Sequence, residues 1–329
     1  MGAHKLYFQN DYLEELIISN ENHLTVYNIV DQFCDVVLNI NEEAIIEIIK
    51  ENPILKTLFK RENVGLIGDK EKYNLLAKED YSNFLNDILL LNLSQEKTKN
   101  IREKFGILAF NLGETFIENQ NYHFGYAIDN SANSIKCWSE IFNNKPIAPI
   151  NSAILIDNFL WNEIAKYKEQ NEDNIYPILE NLIPKTLAIP FHLMIVLQNK
   201  GGQLQKEKAK EIINKIRKRI VRKNGLEICI VTQTDTSTFH ERIILTNFHY
   251  IYSHKGFVAF ANGRVKNETN GDRNWVFKDI CNYVGQIRKH HHLNNALNVF
   301  KLIQANNKNE TSIIYNQGNT NSPILSNFK

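Results

Sequence analysis

Apolar residues along this chain fall into short dense runs, and the spacing inside the runs changes near residue 148. In the first part, Ile45, Ile46, Ile48 and Ile49, then Leu55, Leu58 and Phe59, recur at helical spacing with an interruption at Pro53. That pattern predicts a broken amphipathic helix. Asp80 is placed to cap a helix carrying Phe84, Leu85, Ile88, Leu89 and Leu90. Ser94 is placed to cap the next, with Lys99 and Arg102 turned to solvent. Gly106 to Leu112 reads as a buried strand. Gly65 to Lys70 lacks the spacing of a phosphate-cradling glycine loop and reads as a turn. The expectation for residues 1–148 is a mixed, mainly helical N-terminal domain of unassigned role.

Asn143-Asn144-Lys145-Pro146, with Pro149 close behind, marks a boundary because both prolines disfavour regular structure. Beyond it the pattern becomes rhythmic. Ala153–Ile156 predicts a strand ending at Asp157, followed by a helix around Trp161 to Tyr167. Ile178 to Ile183 predicts a helix stopped by Pro184, and Phe191–Leu197 a second strand. Residues 203–222 predict a long helix with Ile212, Ile213, Ile216 and Ile220 on one face, and Leu226–Val231 a third strand. Short apolar runs alternating with helices argue for βαβ units and a mainly parallel sheet covered on both faces. A hairpin-like pair follows (243–246 and 249–252), then a polar loop over 261–274 and helices near 275–288 and 292–304. The fold class is thus α/β, with the second domain over 149–304 and a disordered polar tail over 305–329.

Candidate chemistry concentrates between the third strand and the hairpin. His240, Arg242 and Asn247 stand at the spacing His-x-Arg-x-x-x-x-Asn. This resembles the H-x-K-x-x-x-x-D signature of the phospholipase D superfamily, with two of its three residues changed. The series Arg242, Asn247, Lys255, Gly256, Phe257 and Phe260 is similar to the degenerate phospholipase-D-like domain at the C-terminus of MIT-domain proteins. The resemblance covers about residues 150–300 and implies a mixed sheet flanked by helices. It implies that the histidine is the nucleophile where catalysis survives, that the second position grips phosphate, and that the third tunes the strand turn. Arg242 keeps the positive charge and can hold phosphate bidentately, with geometry different from lysine. Asn247 removes a negative charge, and with Arg242 and Lys255 it is a candidate phosphate contact. No second copy of the motif occurs in the chain, so catalysis would need a homodimer contributing one His240 per subunit. The bland alternative is a structural strand-end pair of His240 and Arg242.

Other cations extend the picture. The helix carries Lys215, Lys218, Arg219, Arg222 and Lys223 opposite its isoleucine stripe, either as a solvated surface or as a patch for nucleic acid. Arg264, Lys266 and Arg273 could add phosphate contacts, and Trp275 a stacking ring or a core residue. Asp157 stands where open α/β sheets place ligands. His290-His291-His292 cannot converge on one ion, since successive helical positions diverge by roughly 100°. They read, with Arg288 and Lys289, as a basic helix surface.

Lys+Arg 38 against Asp+Glu 37 gives a net charge of +1, so any basic site must be local. Four scattered cysteines without a C-x-x-C pair fit free thiols in a reducing compartment. No apolar run approaches the ~18 residues of a membrane span. The abundance of Asn, Ile and Lys fits a low-GC bacterial genome. The sequence therefore predicts a cytoplasmic, non-catalytic module without metal or cofactor, recognising nucleic acid or another phosphorylated ligand. It would act within a bacterial assembly, with antiviral defence as one setting. The alternatives are a metal-independent nuclease or phosphodiesterase using His240, and a scaffold for a protein partner.

Overall fold

The computed structural model describes residues 4–9, 12–18, 34–60, 65–114, 126–128, 136–144, 149–158, 175–198, 206–233, 242–253, 257, 260–261, 264–265, 275–278, 289–298, 301, 313–317 and 322–326. The protein is α/β and contains two large sheets.

The first sheet comprises β1 (His4–Phe8), β2 (Cys34–Leu38), β3 (Leu66–Gly68), β4 (Ile88–Leu90) and β5 (Leu108–Phe110). Their order is β3-β2-β1-β4-β5, and every pairing is parallel. The N-terminal part is therefore built on a parallel sheet, with its helices arranged along the same chain. Ile88-Leu89-Leu90-Leu91 lies in and just after β4, where a capped helix was expected, and the turn expected at 65–70 contains β3. The physical reason is two-sided burial: Leu6, Val36, Ile88 and Leu90 pack on one face, Tyr7, Val37 and Leu89 on the other. Such short strands carry unbroken apolar runs, which periodicity cannot tell from a buried helix.

The helices at Ile45–Glu51 and Pro53–Phe59 match the stripe broken at Pro53. Ser94 caps helix Gln95–Phe105, its Oγ accepting from the Lys97 N–H at 3.4 Å. Arg102 turns inward rather than to solvent. It donates to Ala109 O at 2.6 Å and to Glu114 Oε1 at 2.9 Å. Gly106 ends that helix at φ +62°, and a Cβ there would lie 2.3 Å from Ile150 O. Only glycine suits both the left-handed backbone and the close approach.

The second sheet contains β6 (Tyr126–Ile128), β7 (Ser152–Ile156), β8 (Phe191–Gln198), β9 (Leu226–Gln233), β10 (Arg242–Thr246) and β11 (Tyr250–Ser253). After a two-stranded ribbon of β12 (Phe260–Ala261) and β13 (Arg264–Val265), it gains β14 (Trp275–Lys278) and β15 (Ile313–Gln317). The order is β15-β9-β8-β7-β10-β11-β14-β6. Only the β7–β8 and β8–β9 pairings are parallel, so this described sheet is mixed. Three boundaries move. β6 precedes residue 148 yet belongs to this sheet, residues 275–278 are strand rather than helix, and β15 lies within the expected disordered tail. The helix expected at 161–167 lies outside the described residues.

Helices Trp138–Asn144, Ile175–Leu182 and Lys206–Arg219 cover one face, packing on Leu155, Leu193, Ile195 and Ile230. The other face carries Ile154, Ile156, Met194, Val196 and Val231 against Leu293, Ala296 and Ile324. Residues 289–298 are helical. No described helix is long and apolar enough to cross a membrane.

Candidate functional site

Antiparallel pairing of β10 with β7 sets Ile243 beside Ile156. One step further along each strand, Arg242 meets Asp157 at the C-terminal end of the parallel strands. Asp157 is 1% exposed and its Oδ1 lies 3.4 Å from Arg242 Nε, while the arginine side chain keeps 18% exposure. The Asp157 N–H donates to Val196 O at 3.0 Å, which fixes the carboxylate at the strand end. Register carries this row outward: Arg242 opposes Ser253, and Ser253 opposes Trp275. A buried carboxylate thus orients a partly exposed guanidinium at the sheet edge where α/β folds hold ligands.

Asn247 stands at the other end of β10, five residues from Arg242 and so about 17 Å away at strand rise. It is wholly buried. Its Nδ2 donates to Gly106 O at 2.8 Å and its Oδ1 accepts from the Asn151 N–H at 3.3 Å. The Nδ2 end ties the turn to the residue that ends helix Gln95–Phe105 in the first half, and the Oδ1 end ties it to the residue before β7. The amide is thus used within the fold, and Asn247 does not share a ligand with Arg242. The expectation of a common phosphate contact is corrected by strand length alone.

The basic helix is corrected in the same way. Helix Lys206–Arg219 runs back from the end of β8 to the start of β9, so its C-terminal cations lie at the sheet end opposite Arg242. Several are engaged within the fold. Lys215 pairs with Glu211 at 2.9 Å, and Arg219 pairs with Glu180. Arg222 donates to Pro184 O at 2.8 Å, Ile189 O at 3.2 Å and Gly225 O at 2.5 Å, with its guanidinium 5.7 Å from the Phe191 ring. Burial lowers the Arg222 pKa from its ordinary value. Lys218 and Lys223 are exposed at that far end, whereas Lys210 is exposed on the half nearer Arg242.

Phe257 and Phe260 are core residues, and Phe260 meets Trp138 edge-on at 5.5 Å. Arg264 pairs with Ala261 in the small ribbon. His240, Lys255, Lys266 and Arg273 lie outside the described residues.

Sequence reasoning missed a buried polar cluster where the sheets meet. The Asn151 Nδ2 donates to Leu85 O at 2.6 Å, Phe105 O at 3.0 Å and Gly106 O at 3.1 Å. Phe248 inserts into the core of the first sheet and lies 5.3 Å from the His4 ring. Lys289, expected on a basic surface, is buried, with Nζ 3.3 Å from His4 Nε2 and in hydrogen-bond contact with Asn247 O. Burial pushes its pKa down to about 7. Burial first, and the Lys289 charge second, hold His4 well below the usual imidazole range and His249 at about 3. His292 is also buried and stacks on Tyr250 at 5.8 Å, while His291 is exposed. Lys289 and His4 are 285 residues apart, and no local pattern announces such a meeting.

No protein-family model matches the chain, and no curated protein matches its sequence.

Proposed function

We propose that the protein is a non-catalytic phosphate-recognising module, holding nucleic acid or another phosphorylated ligand at the edge formed by the ends of β7, β8 and β9. The observation that supports this reading is Arg242, partly exposed at that edge and oriented by the buried Asp157. A guanidinium held beside a buried carboxylate loses less freedom on gripping a phosphate than a free one does. Because Asp157 offsets its charge, affinity rests on directed hydrogen bonds rather than on a broad field. Among the described residues, Arg242 is the phosphate contact that this pair orients, and Lys215 to Lys223 lie at the opposite end. For that single contact the logarithmic salt slope is about −0.9, a loss of roughly threefold between about 50 and 200 mM salt.

Labelled single- and double-stranded DNA and RNA, and a mononucleotide, titrated across a salt series test this. The double variant Asp157→Asn/Arg242→Gln removes both charges together, leaving no buried carboxylate without its cation. Binding with a shallow salt slope that disappears in the double variant, at unchanged melting temperature, is expected. Absence of binding, or binding unchanged in the double variant, overturns the proposal. The second outcome of interest is a scaffold for a protein partner, which the same Arg242–Asp157 pair favours if its role is structural. EDTA-resistant phosphodiester cleavage lost in His240→Ala would instead make the protein an enzyme.

A further inference from the structure

We propose that the buried joint between the two sheets is a proton-controlled latch, closed when His4 and Lys289 are uncharged and loosened by acid. Three segments meet there: the first residue of β1, the Asn247–His249 turn between β10 and β11, and the start of the 289–298 helix.

The hydrogen-bond directions follow from chemistry. His4 Nδ1 lies 2.9 Å from Asn86 O. A carbonyl only accepts, so Nδ1 carries the hydrogen and Nε2 of the neutral ring is an acceptor. Lys289 Nζ faces that Nε2 at 3.3 Å and also donates to Asn247 O. A neutral amine has two N–H groups, and these two acceptors match them. An ammonium brings a third N–H into a site where the described residues supply two acceptors. A second proton on His4 then turns Nε2 into a donor and sets two cations face to face. Inside a buried joint that contact is strongly repulsive.

The surrounding groups do not relieve it. From the turn comes His249, whose Nδ1 lies 3.2 Å from Thr246 Oγ1. That oxygen already accepts from the Phe248 and His249 N–H groups, so its hydroxyl donates to Nδ1, which is therefore unprotonated. From the helix itself come His290, half-buried, and His292. Below β4, Asn86 Nδ2 reaches Ile324 O at 3.5 Å, and Ser322 is buried nearby in sequence. The neighbouring carboxylate, Asp87, acts on Tyr7, which packs on the opposite face of the first sheet. Burial is the larger cause that lowers the pKa of His4, His249 and His290, and the Lys289 charge adds to it in each. Lysine protonation near neutrality is thus the first step, and imidazole protonation below it the second.

The test is amide hydrogen exchange on the full chain. Protection at Phe248 and His249 should fall on the order of tenfold between about pH 8 and about pH 5.5, after correction for the intrinsic rate. At each pH the turn should exchange well ahead of Ile195 and Ile230 in the central strands, which open only with the whole fold. Lys289→Met, similar in length and apolar, should flatten the response at the turn. Should that variant not fold by circular dichroism, His4→Gln, which removes the second proton site, should flatten the acid part of the response. A turn whose protection is independent of pH overturns the latch. So does a turn that exchanges as slowly as β8 and β9 at both pH values, which marks opening only by global unfolding, or a response retained in whichever of these variants is folded.

Discussion

Asn247→Asp restores the acidic residue of the motif that Asn247 resembles, and the structure turns this small change into a severe one. The two side chains are nearly isosteric, so no cavity forms and the effect is electrostatic. Asn247 is fully buried and its Nδ2 donates to Gly106 O at 2.8 Å. An ionised carboxylate would set oxygen against oxygen there, away from water. Leaving the carbonyl opposed costs roughly 1–3 kcal/mol, and burial of the charge adds to that. The introduced carboxyl has an escape, because protonation lets it donate as the amide did. Holding a proton at pH 7 against an ordinary pKa of about 3.9 costs about 4 kcal/mol, which is the ceiling. The destabilisation at pH 7 should therefore be about 2–4 kcal/mol. The folded pKa of the new group is raised, so its stability is intact below about 3.9 and is lost as pH rises. The deficit against the parent protein should shrink by up to about 1.4 kcal/mol for each pH unit of acidification. Urea unfolding of both proteins at pH 7 and pH 5, followed by circular dichroism, measures it. A deficit under about 1 kcal/mol at pH 7, or one independent of pH, would show that Lys289 neutralises the carboxylate and that the site tolerates an acid.

Gly106→Ala should lower stability by about 3 kcal/mol, combining a left-handed backbone with a Cβ 2.3 Å from Ile150 O; a melting temperature within a degree or two of the parent would contradict it. Glu114→Ala strips the buried Arg102 of its carboxylate at 2.9 Å and should cost about 3–5 kcal/mol, with Glu114→Gln milder, both readable from urea midpoints. The parent protein should lose stability in acid. His249 is depressed from 6.5 to about 3, so its contribution is complete above pH 6.5 and drains away toward pH 3. Lys289 is depressed from 10.5 to about 7, so the urea midpoint should rise between pH 7 and pH 9, and a flat profile there would exclude a depressed lysine.

The βαβ run after residue 150 was legible because its helices are long enough to show a stripe. Ile212, Ile213, Ile216 and Ile220 all bury on one face, as the spacing required. The hairpin of β10 and β11 and the position of Asp157 at a strand end were legible for the same reason. The first sheet was not, because β3, β4 and β5 are three residues each and a run of three gives no period. β6 and β15 reach the second sheet from far along the chain, and pairing with a distant edge leaves no local trace.

The sequence by itself determined the α/β class, the strands and helix that form the β7–β9 unit, and Arg242 as the cation beginning β10. Those follow from local spacing and from the alternation of apolar and polar residues. Only the tertiary structure decided which candidates can act together. Strand rise and helix direction put Asn247 and the 215–223 cations at the end of the sheet away from Arg242, and pairing gave Arg242 to Asp157. It also carried Lys289 into a dry joint against His4, where burial rather than residue type sets its charge. A proton's affinity depends on what surrounds the group in space, and sequence spacing does not contain that information.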